Sequence, residues 1–199
     1  MSPLVERTVP IPDGECCLVD SFLGHEEGEL IQQQLHTEVA WAQPVISMFG
    51  RQVPSPRLAA WYGDSDAVYR YSGLVNHPLP WLPLMDSLRR RIERTIRCRF
   101  NSVLINLYRD GSDAMGWHAD DERELGSEPT IASLSLGGMR RFCLRHRRKQ
   151  IPTINLDLPH GSLLVMAGAT QRNWKHCVPR TRKLVAPRIN LTFRNVTTK

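Results

Sequence analysis

The sequence predicts an α+β domain in which two helices precede a β-sandwich or jelly roll. Three observations carry this. Before about residue 100, apolar residues recur at helical spacing in two stretches. From Ser102 onward that period disappears, and short β-prone runs alternate with turn signals. At 199 residues, with 41% hydrophobic and 23% charged residues, the chain is most simply one domain with a buried core.

The first helix is expected over Phe22 to His36, with Leu30, Ile31 and Leu35 as its apolar stripe and Glu26, Glu27 and Glu29 in its first turn. Val45 to Val53 holds two β-prone runs around Gly50, which suggests a hairpin. Met48 and Phe49 lie near its tip, either folded back as a lid or exposed as an apolar wedge for a base stack. Leu58 to Gly63 and Tyr69 to Gly73 are aromatic-rich, and Tyr69 and Tyr71 share one strand face. The second helix follows Pro83, with Leu84, Leu88, Ile92 and Ile96 on one stripe and an arginine run (Arg89 to Arg91, Arg94, Arg97, Arg99) expected as a solvated face. Strands are then expected at Leu104 to Tyr108, Ile131 to Leu136, Phe142 to His146, Ser162 to Met166 and Arg188 to Arg194, separated by turns such as Gly137-Gly138.

No apolar run reaches membrane-spanning length, and Glu6, Arg7 and prolines interrupt the first thirteen residues, so a secretory leader is not expected. Five cysteines form no C-x-x-C pair, which fits reduced thiols in a cytoplasmic protein, or a nuclear one in a eukaryote. Cys177 is expected to be packing. The net charge of +6 is uneven. Residues 1–100 hold 10 Lys/Arg against 12 Asp/Glu, whereas residues 101–199 hold 16 against 8. A basic half suggests a polyanionic partner, most often nucleic acid.

Two stretches carry chemistry. In Gly116-Trp117-His118-Ala119-Asp120, His118 and Asp120 sit two apart, so on an extended strand they share a face. An imidazole and a carboxylate so placed are two thirds of the facial triad of non-haem iron oxygenases. In Arg188 to Arg194, Ile189, Leu191 and Phe193 alternate with Arg188, Asn190, Thr192 and Arg194. That polar face is either an edge strand in water or a clamp for a dicarboxylate, since guanidinium forks pair carboxylates bidentately. Asn106 and Tyr108 form a similar same-face pair.

With these motifs the chain resembles the AlkB family of Fe(II)- and 2-oxoglutarate-dependent nucleic-acid dealkylases. The match runs from about Val45 to Val196 and includes His118-Ala119-Asp120-Asp121-Glu122, Asn106-Leu107-Tyr108, His160-Gly161-Ser162, Trp174-Lys175-His176 and the Arg188 to Arg194 strand. The resemblance implies a double-stranded β-helix core over about residues 101–196, N-terminal helices, and nucleotide-recognition lid hairpins over about 42–75, in one dioxygenase domain spanning 1–199. It implies Fe(II) on His118, Asp120 and His176, with His176 lying 56 residues after Asp120. Arg188 would hold 2-oxoglutarate, with Asn106, Tyr108, Asn190 and Arg194 around it. Dioxygen completes the cosubstrates, and the products would be succinate, CO2 and, from a methyl group, formaldehyde.

A methylated ring nitrogen inside a duplex is out of reach, so the nucleotide must be flipped out. By resemblance the base would lie between Tyr71 and His118, with Tyr69, Ser72 and Arg57 nearby. Asp121 and Glu122 suit a cationic base such as 1-methyladenine or 3-methylcytosine. Met48, Phe49, Gly50 and Arg51 would reach DNA from the hairpin; Arg145, Arg147, Arg148 and Lys149 would hold phosphates. The expected partner is alkylated DNA, single- and double-stranded, with RNA left open, no membrane, and a monomeric enzyme. Two other readings stand beside this one: a hydroxylase of proteins or small molecules, and a nucleic-acid-binding module without turnover. The basic half and the Tyr69/Tyr71 pair weigh against the first. The intact triad and clamp weigh against the second.

Overall fold

The computed structural model describes residues 6–48, 51–71 and 74–197. Phe49, Gly50 and Ser72 fall outside the described residues, and for Met48, Arg51, Tyr69 and Tyr71 only the backbone is considered. In chain order the elements are β1 (Glu6–Thr8), β2 (Glu15–Val19), α1 (His25–Glu38), β3 (Val45–Met48), β4 (Arg51–Pro54), β5 (Leu58–Gly63), β6 (Tyr69–Tyr71) and β7 (Leu74–Asn76). They continue with α2 (Pro83–Ile96), β8 (Ser102–Tyr108), β9 (Met115–His118), β10 (Ile131–Gly137), β11 (Arg140–His146), β12 (Ile154–Leu158), β13 (Leu163–Ala167), α3 (Thr170–Asn173), β14 (Trp174–Val178) and β15 (Arg188–Arg194).

Two antiparallel sheets form the jelly roll: a seven-stranded sheet in the order β1-β2-β13-β10-β15-β8-β5 and a four-stranded sheet in the order β12-β11-β14-β9. The β3–β4 and β6–β7 hairpins stand apart as two-stranded pairs. The stretch expected as lid is therefore divided, because β5 is an edge strand of the large sheet, paired with β8 from Leu58↔Leu107 to Gly63↔Ser102.

Strand alternation sorts the large sheet into two faces. Val103, Ile105, Leu134, Ile189, Leu191 and Phe193 turn outward and pack with Leu35, Met85 and Ile92 of the helices. The opposite face turns toward the small sheet, where Leu144, Leu156, Leu164 and Trp174 make a second core. Arg188, Asn190, Thr192 and Arg194 share that inner face, because strict alternation leaves them nowhere else to go. β15 is no edge strand: it lies between β10 and β8, and all seven of its residues are buried.

α1 begins at His25, three residues later than expected, because Phe22 and Leu23 are buried in the helix-side core ahead of it. Leu30, expected on its stripe, is 68% exposed; Gly28, Ile31 and Leu35 form the buried side. α2 opens with Pro83 in its first turn, where a missing N–H costs nothing, and closes on Arg97 in the left-handed region. Its arginine run is only partly solvated. Arg89 donates to Asp86 and to the Phe100 carbonyl, and Arg91 donates to Glu27 and to the Phe22 carbonyl. Both serve as ties between α2 and its surroundings.

Candidate metal centre and cosubstrate pocket

His118 closes β9 and His176 is the middle residue of β14, and the two stand opposite one another across the small sheet. Their ring centroids are 4.2 Å apart. Asp120 is two residues past the end of β9, on a loop, so the shared strand face expected for His118 and Asp120 is not how they meet. The chain bends after His118, and a hydrogen bond from the Asp120 N–H to the Gln171 side-chain oxygen (3.0 Å) holds the loop in place. The result still converges: one ligand atom from each of His118, Asp120 and His176 lies within 4.8 Å of the others.

The protonation states suit a cation. His118 Nδ1 lies 2.9 Å from the Gly116 carbonyl, and donation there leaves the lone pair on Nε2. Burial, reinforced by the charge of His118, pushes His176 down to about 3, so it is neutral near pH 7. Burial opposes ionisation of Asp120. The Arg194 guanidinium and the two imidazoles outweigh it and hold the carboxyl below its usual range. Arg194 Nη2 donates to Asp120 Oδ1 at 2.6 Å, while Oδ2 is 3.8 Å from His176 Nε2, too far for a hydrogen bond. Two imidazoles and one ionised carboxylate, with donor atoms turned to a common point, fit a divalent first-row metal such as Fe(II).

Below this cluster lies Arg188, 1% exposed. Its Nη2 donates to Ser135 Oγ (2.9 Å), yet Nε and Nη1 have no hydrogen-bond partner among the described residues. Burial pulls its pKa down to about 10. A buried cation with two unmet donors is costly unless an anion comes to it. Its cavity is continuous with the metal cluster and also takes in Asn106, Tyr108, Ser133 and Thr192. A carboxylate-bearing cosubstrate fits that vacancy in the hydrogen bonding.

The other expected neighbours are engaged differently. Asn190 Nδ2 donates to Ser133 Oγ and to the Leu134 carbonyl, so it ties β15 to β10. Arg194 faces Asp120. Arg140, close to Tyr108, is fully taken up by the carbonyls of Asp110, Asp113 and Pro179. Sequence reasoning passed over Ser133, Ser135 and Gln171. The alternation of Ile131 to Leu136, with serine at every inner position from Ser133, could have shown the first two; Gln171 left no periodic signal.

The family model of the 2OG-Fe(II) oxygenase superfamily matches residues 15–194. The chain belongs to that superfamily. The match starts some thirty residues earlier than the motifs do, because β2 is part of the large sheet. Within the superfamily the chain is an AlkB-family dioxygenase. It is 42% identical over 189 residues to the alkB homolog 3 dioxygenase of Mus musculus, covering 90% of this chain and 65% of that protein. It is 39% identical over 194 residues to the DNA oxidative demethylase ALKBH2 of Homo sapiens, covering 92% of this chain and 74% of the relative. A solved structure of OsALKBH1 shares the fold, with a TM-score of 0.68 at 20% identity over 95% of this chain and all of that one.

A second cavity of about 420 Å³ opens between the metal cluster and the β3–β4 side of the dioxygenase. Ala42, Val45, Arg57, Trp61, His77 and Leu79 line it, and it shares His118, Asp120 and Arg194 with the inner pocket. Arg57, expected beside a base, does face this cavity. It is 6% exposed, with Nε donating to Asn106 Oδ1 (2.7 Å) and Nη1 to Ser55 Oγ (3.1 Å). His77 is a lining residue that the sequence did not single out.

Asp121 is exposed, Glu122 half-buried. Asp121 accepts from Arg147 Nη2 at 2.6 Å, so a residue expected to meet a cationic base and one expected to meet phosphate neutralise each other. Lys149 pairs with Asp13, and Arg172 with Glu128. His146 is buried, and its Nδ1 accepts the N–H groups of Arg148 and Lys149, which shapes the basic loop. Arg145 lies on the Trp117 ring. Cys177 is buried, its thiol raised to about 12 by burial and by Cys143, in keeping with packing.

Proposed function

We propose that this dioxygenase removes alkyl groups from ring nitrogens of bases in DNA, as a direct-reversal repair enzyme acting on 1-methyladenine- and 3-methylcytosine-type lesions. The observation that carries the reading is the junction of two cavities at one cluster: an inner pocket with an unsatisfied buried cation, and an outer cavity wide enough for a flat ring, both bordered by His118, Asp120 and Arg194. The similar proteins named as DNA oxidative demethylases support DNA as the substrate.

In this reading His118, Asp120 and His176 would hold Fe(II), with 2-oxoglutarate and dioxygen as cosubstrates. The iron so held supplies oxidation of the N-alkyl carbon, coupled to conversion of 2-oxoglutarate into succinate and CO2; the oxidised methyl group leaves as formaldehyde. Arg188 grips a carboxylate of 2-oxoglutarate, with Tyr108 and Asn106 alongside. Arg194 keeps Asp120 ionised and oriented. Gln171 fixes the loop that carries Asp120. Arg57, bonded to Asn106, connects the cosubstrate wall to the base cavity. Tyr69, Tyr71 and Ser72 are assigned to the flipped base by resemblance, and Glu122, with Asp121 where Arg147 releases it, attracts its positive charge. Arg145 and Arg148 hold the phosphate path, joined by Arg147 and Lys149 where a phosphate displaces their carboxylate partners Asp121 and Asp13, and Met48 to Arg51 probe the duplex. Residues 1–199 act as one dioxygenase domain, monomeric. Among the described residues no helix is long and apolar enough to cross a membrane.

The test is release of formaldehyde and succinate in equal amounts from an oligonucleotide carrying 3-methylcytosine, single-stranded beside duplex. Succinate without formaldehyde on either substrate would remove DNA demethylation and leave only the cosubstrate chemistry.

A further inference from the structure

Trp117 sits on β9 between Gly116 and His118, and alternation turns it away from the metal cluster onto the outer face of the small sheet. It stays 36% exposed there, a large apolar ring left partly wet. Arg145, from β11, lays its guanidinium 4.4 Å from the ring centroid, reaching across β14, which lies between the two strands. Lys175 is the β14 residue opposite Arg145. Three other basic residues of this region are neutralised, Arg141 by Asp157, Arg147 by Asp121 and Lys149 by Asp13, while Arg148 on the loop after β11 makes no ion pair among the described residues. Among the described residues neither Arg145 nor Lys175 has a carboxylate within ion-pair distance. A partly exposed indole with Arg145 over one side of its ring and Lys175 on the neighbouring strand, one residue from a candidate metal ligand, combines what single-stranded nucleic acid asks of a surface: a π-face for a base and positive charge for the adjoining phosphates.

We propose that Trp117, with Arg145 and Lys175, is a stacking platform for an unpaired nucleobase neighbouring the flipped nucleotide, and so a determinant of single-strand preference. The proposal rests on the nucleic-acid reading above and adds Trp117 to it. A duplex keeps its bases stacked on one another and can offer this face only phosphates. An acidic peptide would satisfy the cations but has no need of the indole.

The experiment uses fluorescence anisotropy of an undamaged oligothymidylate and of a duplex of similar length with the full chain, where no turnover or bound metal is required. Stacking on an aromatic side chain is worth about 1–3 kcal/mol per base, so Trp117→Ala should weaken single-strand affinity by about tenfold. Trp117→Phe should stay within about threefold of wild type, and duplex affinity should change by less than about twofold in both. Should the alanine variant not fold, Trp117→Leu keeps apolar volume without the π-face and should show the same single-strand loss. Unchanged single-strand affinity in the alanine or leucine variant, or equal losses on both nucleic acids, would overturn the platform. Wild-type protein that binds neither oligonucleotide would instead sink the nucleic-acid reading itself.

Discussion

Arg188 is where stability and function pull in opposite directions. A fully buried guanidinium with two donors unmet costs the folded protein about 1–3 kcal/mol for each unsatisfied group, unless its ligand is present. Arg188→Met, similar in length and neutral, should therefore raise the denaturant midpoint of the protein without 2-oxoglutarate. The same change should raise the half-saturating 2-oxoglutarate concentration by about tenfold or more, the loss of one charge-assisted contact. A lowered midpoint with unchanged 2-oxoglutarate dependence would show that the residue is structural. Asp120→Ala should abolish turnover, leave most affinity for undamaged DNA, and cost about 3–5 kcal/mol by removing the carboxylate of a buried ion pair. His176 gives a pH signature. Its folded-state pKa, about 3, lies below its ordinary 6.5. Between those values the unfolded chain takes up a proton that the folded chain refuses, so stability falls as pH drops through that window. Urea midpoints of metal-free protein at about pH 7 and pH 5 should show the decline, and His176→Asn should flatten it.

At the scale of elements, β15 and the β3–β4 hairpin make different kinds of contribution. β15 is held on both sides, by β10 and β8, and its inner face presents Arg188 and Arg194 three pleat repeats apart in a fixed order. The β3–β4 hairpin joins no larger sheet. A free-standing hairpin suits a probe that must enter a base stack, and an apolar tip can offset lost stacking when a nucleotide is flipped. Phe49→Ala is expected to lower the rate on duplex by about tenfold, roughly 1.4 kcal/mol, and to spare the single-stranded rate. Equal losses on both substrates would make Phe49 a packing residue.

Across the whole molecule, the +6 net charge comes from residues 101–199, but local pairing reduces what it offers to a polyanion. Arg147 already has Asp121, so removing it takes away a cation and also unpairs a carboxylate. Arg148 is exposed and makes no ion pair among the described residues. Affinity for undamaged oligonucleotide should fall steeply with salt, and Arg148→Ala should reduce the slope of log affinity against log salt by about one. A slope equal to wild type would put the phosphate path elsewhere.

The sequence by itself determined the α+β class, the two helices, most of the core strands and the residue types of the site. It could do so because alternation is local: Arg188 to Arg194 specifies its two faces without reference to any other strand. The third metal ligand was legible only through resemblance, since nothing in the spacing links His176 to His118; β14 and β9 are joined by pairing across the sheet. Tertiary structure decided what depends on neighbours. β15 became a central strand, so its polar face is buried and not wet. Asp120 reaches His118 by a loop held on Gln171, and Arg194 faces Asp120. β1 and β2 were missed because short strands at a sheet's end carry little period of their own, and their pairing with β13 lies far along the chain. Which cations remain available to a ligand was likewise decided in three dimensions, since a charge is neutralised by whatever the fold sets within a few ångströms of it.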